Sequence, residues 1–392
     1  MYPIATAKSL EELHAFARAI HEHAQHCAGY PANLDFQLHD FFSWWVTSGL
    51  CDLHLNDVGR PEDSSPYQLN THLFEREVLA HFASLYHFPP DGYWGYITSG
   101  STQGIEQGLL MGRNVLRHIG EPIAYFSEES HYSVKNVLSL IDVEWRVISC
   151  LPSGEMDLVD LLNKLDTCRP ALVNINIGTT FKGAIDNRKA ILHLLATSDL
   201  PAHYCHLDAA LFGGYLPYIE GESIPHIFFD KLPYDSITVS GHKFLGSPIP
   251  VGIFLMQKHH AKQIRTDYVE YLASDNLIIP CSRSSLNTLI LWWIVHTKPP
   301  EEWRREVQAI LENAQYLQDK LQERGYPCWR NPYSNIVYFR CPNTFIRSKW
   351  SLPDVMDRFF GKLSHIIAMQ HVTSSLIDEF LHDLEGVKAL HE

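Results

Sequence analysis

Lys243 lies at the end of a predicted buried strand, where a lysine is unusual. The β-branched residues 237–239 lead into the turn Ser-Gly-His-Lys, and a second apolar strand is predicted over residues 251–255. An apolar surrounding lowers the pKa of an ammonium group and makes the neutral amine available as a nucleophile for Schiff-base formation. A lone lysine in a hairpin turn is more often a solvent-exposed residue. Lys243 therefore needs supporting residues elsewhere in the chain.

Two other stretches provide such residues. Asp208 ends a short strand-like segment about 35 residues before Lys243, and a carboxylate of this kind can keep a pyridine nitrogen protonated. Residues 98–104 form a turn of Gly, Ser and Thr between the predicted strand 93–97 and an apolar helix pattern over 105–115. A turn like this offers backbone N–H groups, hydroxyls and a positive dipole end to a phosphate. Amine, carboxylate and phosphate turn together match the needs of pyridoxal 5'-phosphate.

Further motifs follow one another in a recognisable order: W-G-Y-I-T, S-H-Y-S-V, N-I-G-T-T-F-K-G-A-I-D, H-L-D-A-A-L-F-G and V-S-G-H-K-F-L-G-S-P-I-P. From about residue 30 to the C-terminus the chain resembles the fold type I pyridoxal-phosphate enzymes. Within them it is most similar to the group II amino-acid decarboxylases, especially bacterial histidine decarboxylases and plant serine decarboxylases. The resemblance implies decarboxylation of a histidine-like or serine-like L-amino acid to its amine and CO2. It also implies a Schiff base on Lys243 and a quinonoid intermediate.

The resemblance assigns the catalytic roles to three residues. Lys243 would hold the cofactor, and Asp208 would pair with its ring nitrogen. His131 would stack on one ring face and is a candidate proton donor to the product, because imidazole exchanges protons near neutral pH. Ala210 would lie against the other face.

Binding roles are implied for a second group of residues. Ser101 and Thr102 would bind the phosphate, helped by Ser240 and His242, and Thr179 would lie near the ring. Three more residues are candidates for the substrate site: Tyr30, Asn56 and Arg283. Packing within the fold is the alternative for Tyr30, and the sequence does not place the guanidinium of Arg283.

Composition narrows the class of protein. The chain has 392 residues, a formal net charge of −14, 45% hydrophobic and 19% charged residues, which is typical of a globular protein with a large core. The acidic balance argues against a nucleic-acid partner. No apolar run reaches the length of a membrane span, so we expect a cytoplasmic protein. The eight cysteines are scattered and the histidine clusters lack zinc-like spacing, so we expect neither a disulfide scaffold nor a structural metal.

The order of predicted elements indicates the architecture. Strand and helix patterns alternate from residue 93 to 207, which favours an α/β fold with a mostly parallel central sheet covered by helices. The expected units are an N-terminal segment over 1–65, a large cofactor-binding domain over 66–285 and a small C-terminal α+β domain over 286–392. His131, Thr179, Asp208 and Lys243 each follow a predicted strand, so they should meet at one edge of the sheet.

Some features leave alternatives open. The aromatic N-terminal segment and residues 274–285 suit contacts with a second subunit, which favours a homodimer with shared active sites, although the N-terminal segment could equally pack on its own domain. Gln103, Ile105 and the segment 284–286 depart from the pattern of the resembling family. The alternatives are therefore another reaction on the same scaffold, such as transamination, decarboxylative oxidation or C–C bond formation, or a homologue without turnover.

Overall fold

A central sheet of seven strands organises the protein. The computed structural model describes residues 7–63, 65–221, 224–225, 227–264 and 266–388. The seven strands are β1 (Tyr93–Thr98), β2 (Ile123–Ser127), β3 (Glu144–Ile148), β4 (Ala171–Asn176), β5 (His203–Asp208), β6 (Ser236–Ser240) and β7 (Gly252–Gln257). The strands predicted over residues 93–97, 237–239 and 251–255 are present as β1, β6 and β7, with their ends displaced by at most two residues.

The strands lie in the order β1-β7-β6-β5-β4-β2-β3. Only β7 runs antiparallel to its two neighbours, and every other pair in this sheet is parallel. All residues of β2, β4 and β6 are buried, as expected for a parallel sheet covered on both faces. The predicted α/β class with a mostly parallel sheet is confirmed.

Twelve helices surround or extend this sheet within the described residues. They are α1 (Ala7–Ala24), α2 (His39–Thr47), α3 (His72–Leu85), α4 (Ser101–Leu116), α5 (Tyr132–Leu140), α6 (Leu158–Lys164), α7 (Arg188–Thr197), α8 (Lys258–Gln263), α9 (Ser285–Thr297), α10 (Pro300–Glu323), α11 (Thr344–Lys349) and α12 (Ser374–Lys388). None of the helices in the described part of the chain is long and apolar enough to cross a membrane.

Helix α4 lies unusually close to the sheet because one of its faces carries glycines. A Cβ on Gly104 would lie 1.9 Å from Thr238 Oγ1, and a Cβ on Gly108 would lie 2.4 Å from His206 Nδ1. Both distances are far below van der Waals contact, so any larger residue would push the helix away. The close approach fixes the N-terminus of α4 above the ends of β5 and β6.

The C-terminal part adds a four-stranded antiparallel sheet to the helices. Its strands are β8 (Cys328–Arg330), β9 (Ile336–Arg340), β10 (Asp354–Asp357) and β11 (Gly361–Ile367), in the order β8-β9-β11-β10. Helix α9 packs instead on α3, where Phe74 and Trp292 are in edge contact at 5.2 Å between ring centroids. The domain boundaries expected from the sequence therefore stay a prediction.

The N-terminal segment contacts the body of the protein at several places. Phe41 is buried and packs against Trp293, and the short strand Asp57–Val58 pairs with Ser282–Arg283. Helix α1 is different, because its apolar residues Leu10, Leu13, Phe16 and Ile20 are 43%, 62%, 64% and 49% exposed. The described part of the N-terminal segment thus both packs on its own chain and leaves an apolar face uncovered.

Candidate active site

A cavity of about 490 Å³ lies at the edge of the sheet where β4, β5 and β6 end. Ten of the predicted site residues line it: Tyr30, Ser101, Thr102, His131, Thr179, Asp208, Ala210, Ser240, His242 and Lys243. The parallel strands bring their carboxyl ends together at this edge, which explains how residues so far apart in sequence meet.

Lys243 lies in the wall of the cavity, three residues after the end of β6. Three backbone hydrogen bonds hold the turn that carries it: Gly241 N–H to the Val251 carbonyl at 2.8 Å, Ser247 N–H to the Gly241 carbonyl at 2.9 Å and Gly246 N–H to the Lys243 carbonyl at 3.1 Å. Burial lowers the pKa of Lys243, and the nearby Asp208 carboxylate opposes this effect only in part. A lysine in this state is prepared to act as a nucleophile.

Asp208 is the last residue of β5 and is only 7% exposed. Its Oδ1 accepts one long hydrogen bond from Ala210 N–H at 3.3 Å. Burial raises the pKa of Asp208, while the charges of Lys243 and His131 act in the opposite direction. The Asp208 carboxyl group therefore shares the cavity with two basic residues whose charges counteract the effect of its burial.

His131 caps the N-terminus of α5, and its ring orientation is fixed by Ser133. The imidazole Nδ1 accepts the Ser133 N–H at 3.3 Å and lies 2.7 Å from the Ser133 hydroxyl. An Nδ1 that accepts a backbone N–H leaves the ring proton on Nε2. Burial lowers the pKa of His131, so the neutral ring with a proton on Nε2 is the form expected near neutral pH.

A group of donors surrounds the N-terminus of α4. Gly100 precedes the helix with φ 147°, a backbone conformation that residues with a side chain rarely adopt. The hydroxyls of Ser101 and Ser240 lie 2.6 Å apart, and His242 Nδ1 is 2.9 Å from the Val251 carbonyl oxygen. Helix N–H groups, two hydroxyls and an imidazole form a suitable site for a phosphate dianion.

Comparison with known proteins identifies the family. Residues 113–339 match the pyridoxal-dependent decarboxylase conserved domain. The chain belongs to this family of decarboxylases. It is 35% identical to the histidine decarboxylase of Pseudomonas entomophila (strain L48), over 91% of this chain and 85% of that protein. It is also 35% identical to serine decarboxylase 1 of Oryza sativa subsp. japonica, over 95% of this chain and 75% of that protein.

A solved structure is similar along almost the whole decarboxylase chain. L-methionine decarboxylase from Streptomyces sp.590, in complex with L-methionine methyl ester, has a TM-score of 0.85 and 25% sequence identity, covering 97% of this chain and 95% of that one. This confirms the predicted fold type I architecture. The protein is accordingly a carboxy-lyase that uses pyridoxal phosphate to decarboxylate an amino acid.

The cavity of this decarboxylase fits that cofactor on its own evidence. A lysine with a lowered pKa, a buried carboxylate and the phosphate site at α4 line one cavity of about 490 Å³. These are the three anchoring points that a phosphorylated pyridine aldehyde requires.

Other cavity residues were missed by the sequence reasoning. Asn176 lines the cavity and donates from Nδ2 to the buried Asp186 carboxylate at 2.9 Å. His365 comes from β11 of the C-terminal sheet, and its two ring nitrogens lie 2.8 Å from the Phe181 carbonyl and 3.1 Å from the Gly29 carbonyl. The asparagines in the apolar run A-L-V-N-I-N-I gave a signal for the first. His365 in L-S-H-I-I gave a weaker one.

Two predicted substrate residues lie outside the cavity of their own chain. Asn56 donates from Nδ2 to Ser282 Oγ at 3.0 Å. The guanidinium of Arg283 pairs with the fully buried Glu75 at 2.6 Å and donates to the Gly59 carbonyl at 2.7 Å. A guanidinium committed to a buried carboxylate is not available to a substrate in this cavity. Neither residue lines this cavity in the single chain, and the expectation that Arg283 and Asn56 contact substrate stays a prediction.

Proposed function

We propose that this decarboxylase acts on a histidine-like or serine-like L-amino acid with Lys243, Asp208 and His131 as its catalytic residues. The observation that carries the proposal is that these three side chains line one cavity together with the Ser101 and Ser240 hydroxyl pair. Their electrostatic coupling supports it, because Lys243 and His131 both act on the pKa of Asp208.

Pyridoxal phosphate, when bound, supplies an electron sink for the negative charge left by departing CO2. Lys243 Nζ would hold the cofactor and release it to the substrate amine. Asp208 would keep a positive charge on the ring nitrogen, since its buried carboxylate is preorganised at that end of the cavity. His131, in its protonated form, would return a proton to the product carbon, and its contacts with Ser133 would set the position of the ring.

Binding residues complete the assignment. Ser101, Thr102, Ser240 and His242 would hold the phosphate. Ala210 and Thr179 would lie beside the ring, the latter with its hydroxyl accepting the Ala184 N–H at 3.0 Å. Tyr30, which is 55% exposed at the cavity wall, would meet the substrate at the mouth.

The lining supports a neutral substrate side chain. Among the described residues that line the cavity, the acidic and basic groups are Asp208, Lys243 and the histidines 131, 242 and 365, and both ring nitrogens of His365 already face carbonyls. Transaminases typically fix the substrate carboxylate with an arginine, and the described lining contains none. This favours decarboxylation and disfavours acidic substrates such as glutamate.

A panel of amino acids tests the proposal. The holoenzyme is given L-histidine, L-serine, L-methionine, L-glutamate and L-lysine in turn, and CO2 and the product amine are quantified in equal amounts. We expect turnover with a neutral amino acid and none with glutamate or lysine. Keto-acid formation without CO2 would indicate transamination instead, and preferential turnover of glutamate would refute the proposed substrate class.

We also propose a homodimer. The exposed apolar face of α1, formed by Leu10, Leu13, Phe16 and Ile20, supports it, because a contiguous apolar patch commonly marks an interface. Light scattering of the purified protein should give twice the chain mass, and Phe16→Glu should weaken the association. A fully active monomer at micromolar concentration would contradict it.

We propose a cytoplasmic location as well. All eight cysteines are unpaired, and Cys51, Cys168 and Cys281 are exposed, which suits a reducing compartment. Cell fractionation with a specific antibody tests this. Recovery of the active enzyme outside the cytoplasmic fraction would contradict it.

A further inference from the structure

Lys182 is a buried cation just outside the cavity. Its side chain is only 1% exposed, and it directly follows Thr179, Thr180 and Phe181, which line the cavity although Lys182 does not. Removing an ammonium group from water costs several kcal/mol unless close partners compensate for it. A buried lysine at this position therefore needs close partners that compensate for the lost hydration.

The ammonium group has three acceptors for its three N–H bonds. Lys182 Nζ lies 2.5 Å from Asp357 Oδ2, 3.2 Å from Glu129 Oε1 and 3.4 Å from the Pro152 carbonyl oxygen. Burial alone would lower the pKa of Lys182, but the two carboxylates outweigh it and hold the pKa above the ordinary lysine value. The lysine is thus charged and fully bonded, with the Phe359 and Phe360 rings 5.7 and 5.8 Å from Nζ.

Each carboxylate belongs to a different element beside the cavity. Glu129 stands two residues before His131, in the loop that leads from β2 to α5. Asp357 ends β10 of the C-terminal sheet, and its Oδ1 accepts the N–H groups of Phe359 and Phe360, both at 2.8 Å. One ammonium group therefore joins the loop of His131, the loop of Thr179 and the C-terminal sheet.

The C-terminal sheet and its flanking residues also form part of the cavity itself, through Ile336, Pro353, His365 and Ile367. We propose that Lys182 is a positioning residue, which uses Glu129 and Asp357 to hold the His131 loop against the C-terminal wall and so sets the place of the His131 ring. This inference rests on the proposed role of His131. Lys182 and Glu129 act through that ring without touching the substrate.

The adjacent Glu128 provides a matched control. It pairs with Arg358 at 3.0 Å, and the two side chains are 37% and 48% exposed, a setting in which an ion pair contributes little. Glu128 has no contact with Lys182 among the described interactions. Glu129→Gln and Glu128→Gln therefore make the same chemical change in neighbouring residues, but only the first removes a charge from the buried group.

The test is a double-mutant cycle with His131. In the holoenzyme, Glu129→Gln should lower kcat by about tenfold, because a small misplacement of a reacting group has a large effect on rate, whereas Glu128→Gln should leave kcat within about twofold. In a His131→Asn background, Glu129→Gln should cause no further loss of kcat. The dissociation constant for pyridoxal phosphate, measured by visible absorbance, should show the same lack of additivity. The thermal midpoint, by contrast, should fall equally in both backgrounds.

Three results would overturn the proposal. Losses that multiply in the double variant would mean that Glu129 acts independently of His131. A lowered thermal midpoint with unchanged kcat would mean that the buried group only stabilises the fold. An unchanged kcat in His131→Asn would remove the proposed catalytic role of His131. This failure can be told apart from failure of the positioning role, because Glu129→Gln could still slow the enzyme when His131→Asn does not. If Glu129→Gln gives too little folded protein, Asp357→Asn provides the same cycle from the other side of the ammonium group.

Discussion

Replacing Asp208 by Asn tests the electrostatic core of the site. Asn has nearly the same shape and can still accept the Ala210 N–H through Oδ1, which at 3.3 Å is the one hydrogen bond that the described residues make to the Asp208 side chain. What is lost is a negative charge buried to 7% exposure beside Lys243 and His131. Loss of a preorganised electrostatic partner typically lowers kcat by about 100-fold to 1000-fold, or roughly 3 to 4 kcal/mol.

The assay is CO2 release at saturating substrate and saturating pyridoxal phosphate, so that weaker cofactor binding does not enter kcat. Asp157 is a suitable control, because its carboxylate caps α6 by accepting the Val159 N–H at 2.9 Å and Asn caps a helix about equally well. Asp157→Asn should leave kcat unchanged. An Asp208→Asn enzyme within about threefold of the parent would mean that Asp208 is also only a turn residue and that the site lacks its electronic anchor.

Four further predictions follow from particular contacts. Lys243→Ala should abolish turnover and the visible absorbance of bound cofactor without lowering the thermal midpoint of the apoprotein, and retained absorbance would contradict the assignment. The folded-state pKa of Lys243 is lowered, so between that pKa and the ordinary lysine value the unfolded chain binds more protons than the folded one, and Lys243 makes the stability of the apoprotein rise with pH. The thermal midpoint of Lys243→Ala should therefore rise less steeply with pH than that of the parent. Identical dependence on pH in the two proteins would refute the pKa shift. Arg283→Met leaves Glu75 buried without its cation and should cost about 3 to 5 kcal/mol in urea denaturation, with the kcat of the folded fraction retained; a loss of kcat at unchanged stability would restore Arg283 to the active site. Gly108→Ala places a Cβ 2.4 Å from His206 Nδ1 and should destabilise by about 1 to 3 kcal/mol, and a neutral result in the same denaturation assay would mean that α4 can move outward freely.

The central sheet could be predicted from sequence because each strand is a short apolar run bounded by turn residues. Once the strands are known to be parallel, the position of the site follows, since Thr179 and Lys243 stand just after a strand and Asp208 ends one. The elements that were missed lack this pattern. Strand β10 (Asp354–Asp357) has three exposed residues of four and pairs only along one edge, so no apolar periodicity marks it.

The contributions of the C-terminal sheet to the cavity could not be predicted for a related reason. Ile336, His365 and Ile367 lie in strands whose apolar pattern reports burial but not what they are buried against. Their arrival at the cavity depends on how two sheets dock, and bonds such as that between His365 and the Phe181 carbonyl span 184 residues of sequence. Local spacing contains no information on such a contact.

Arg283 and Lys182 illustrate the same limit of prediction from sequence. Both are basic residues within or beside family-like motifs, and both are buried with carboxylates as partners. Motif membership suggested a substrate contact for Arg283 and drew no attention to Lys182. The two residues differ in where their carboxylate partners lie. Glu75, 208 residues from Arg283, belongs to helix α3 outside the cavity, whereas Glu129, a partner of Lys182, belongs to the loop of His131. A buried charge can thus affect the reaction without reaching the substrate, and its partner's position in the fold indicates which loop it can act on.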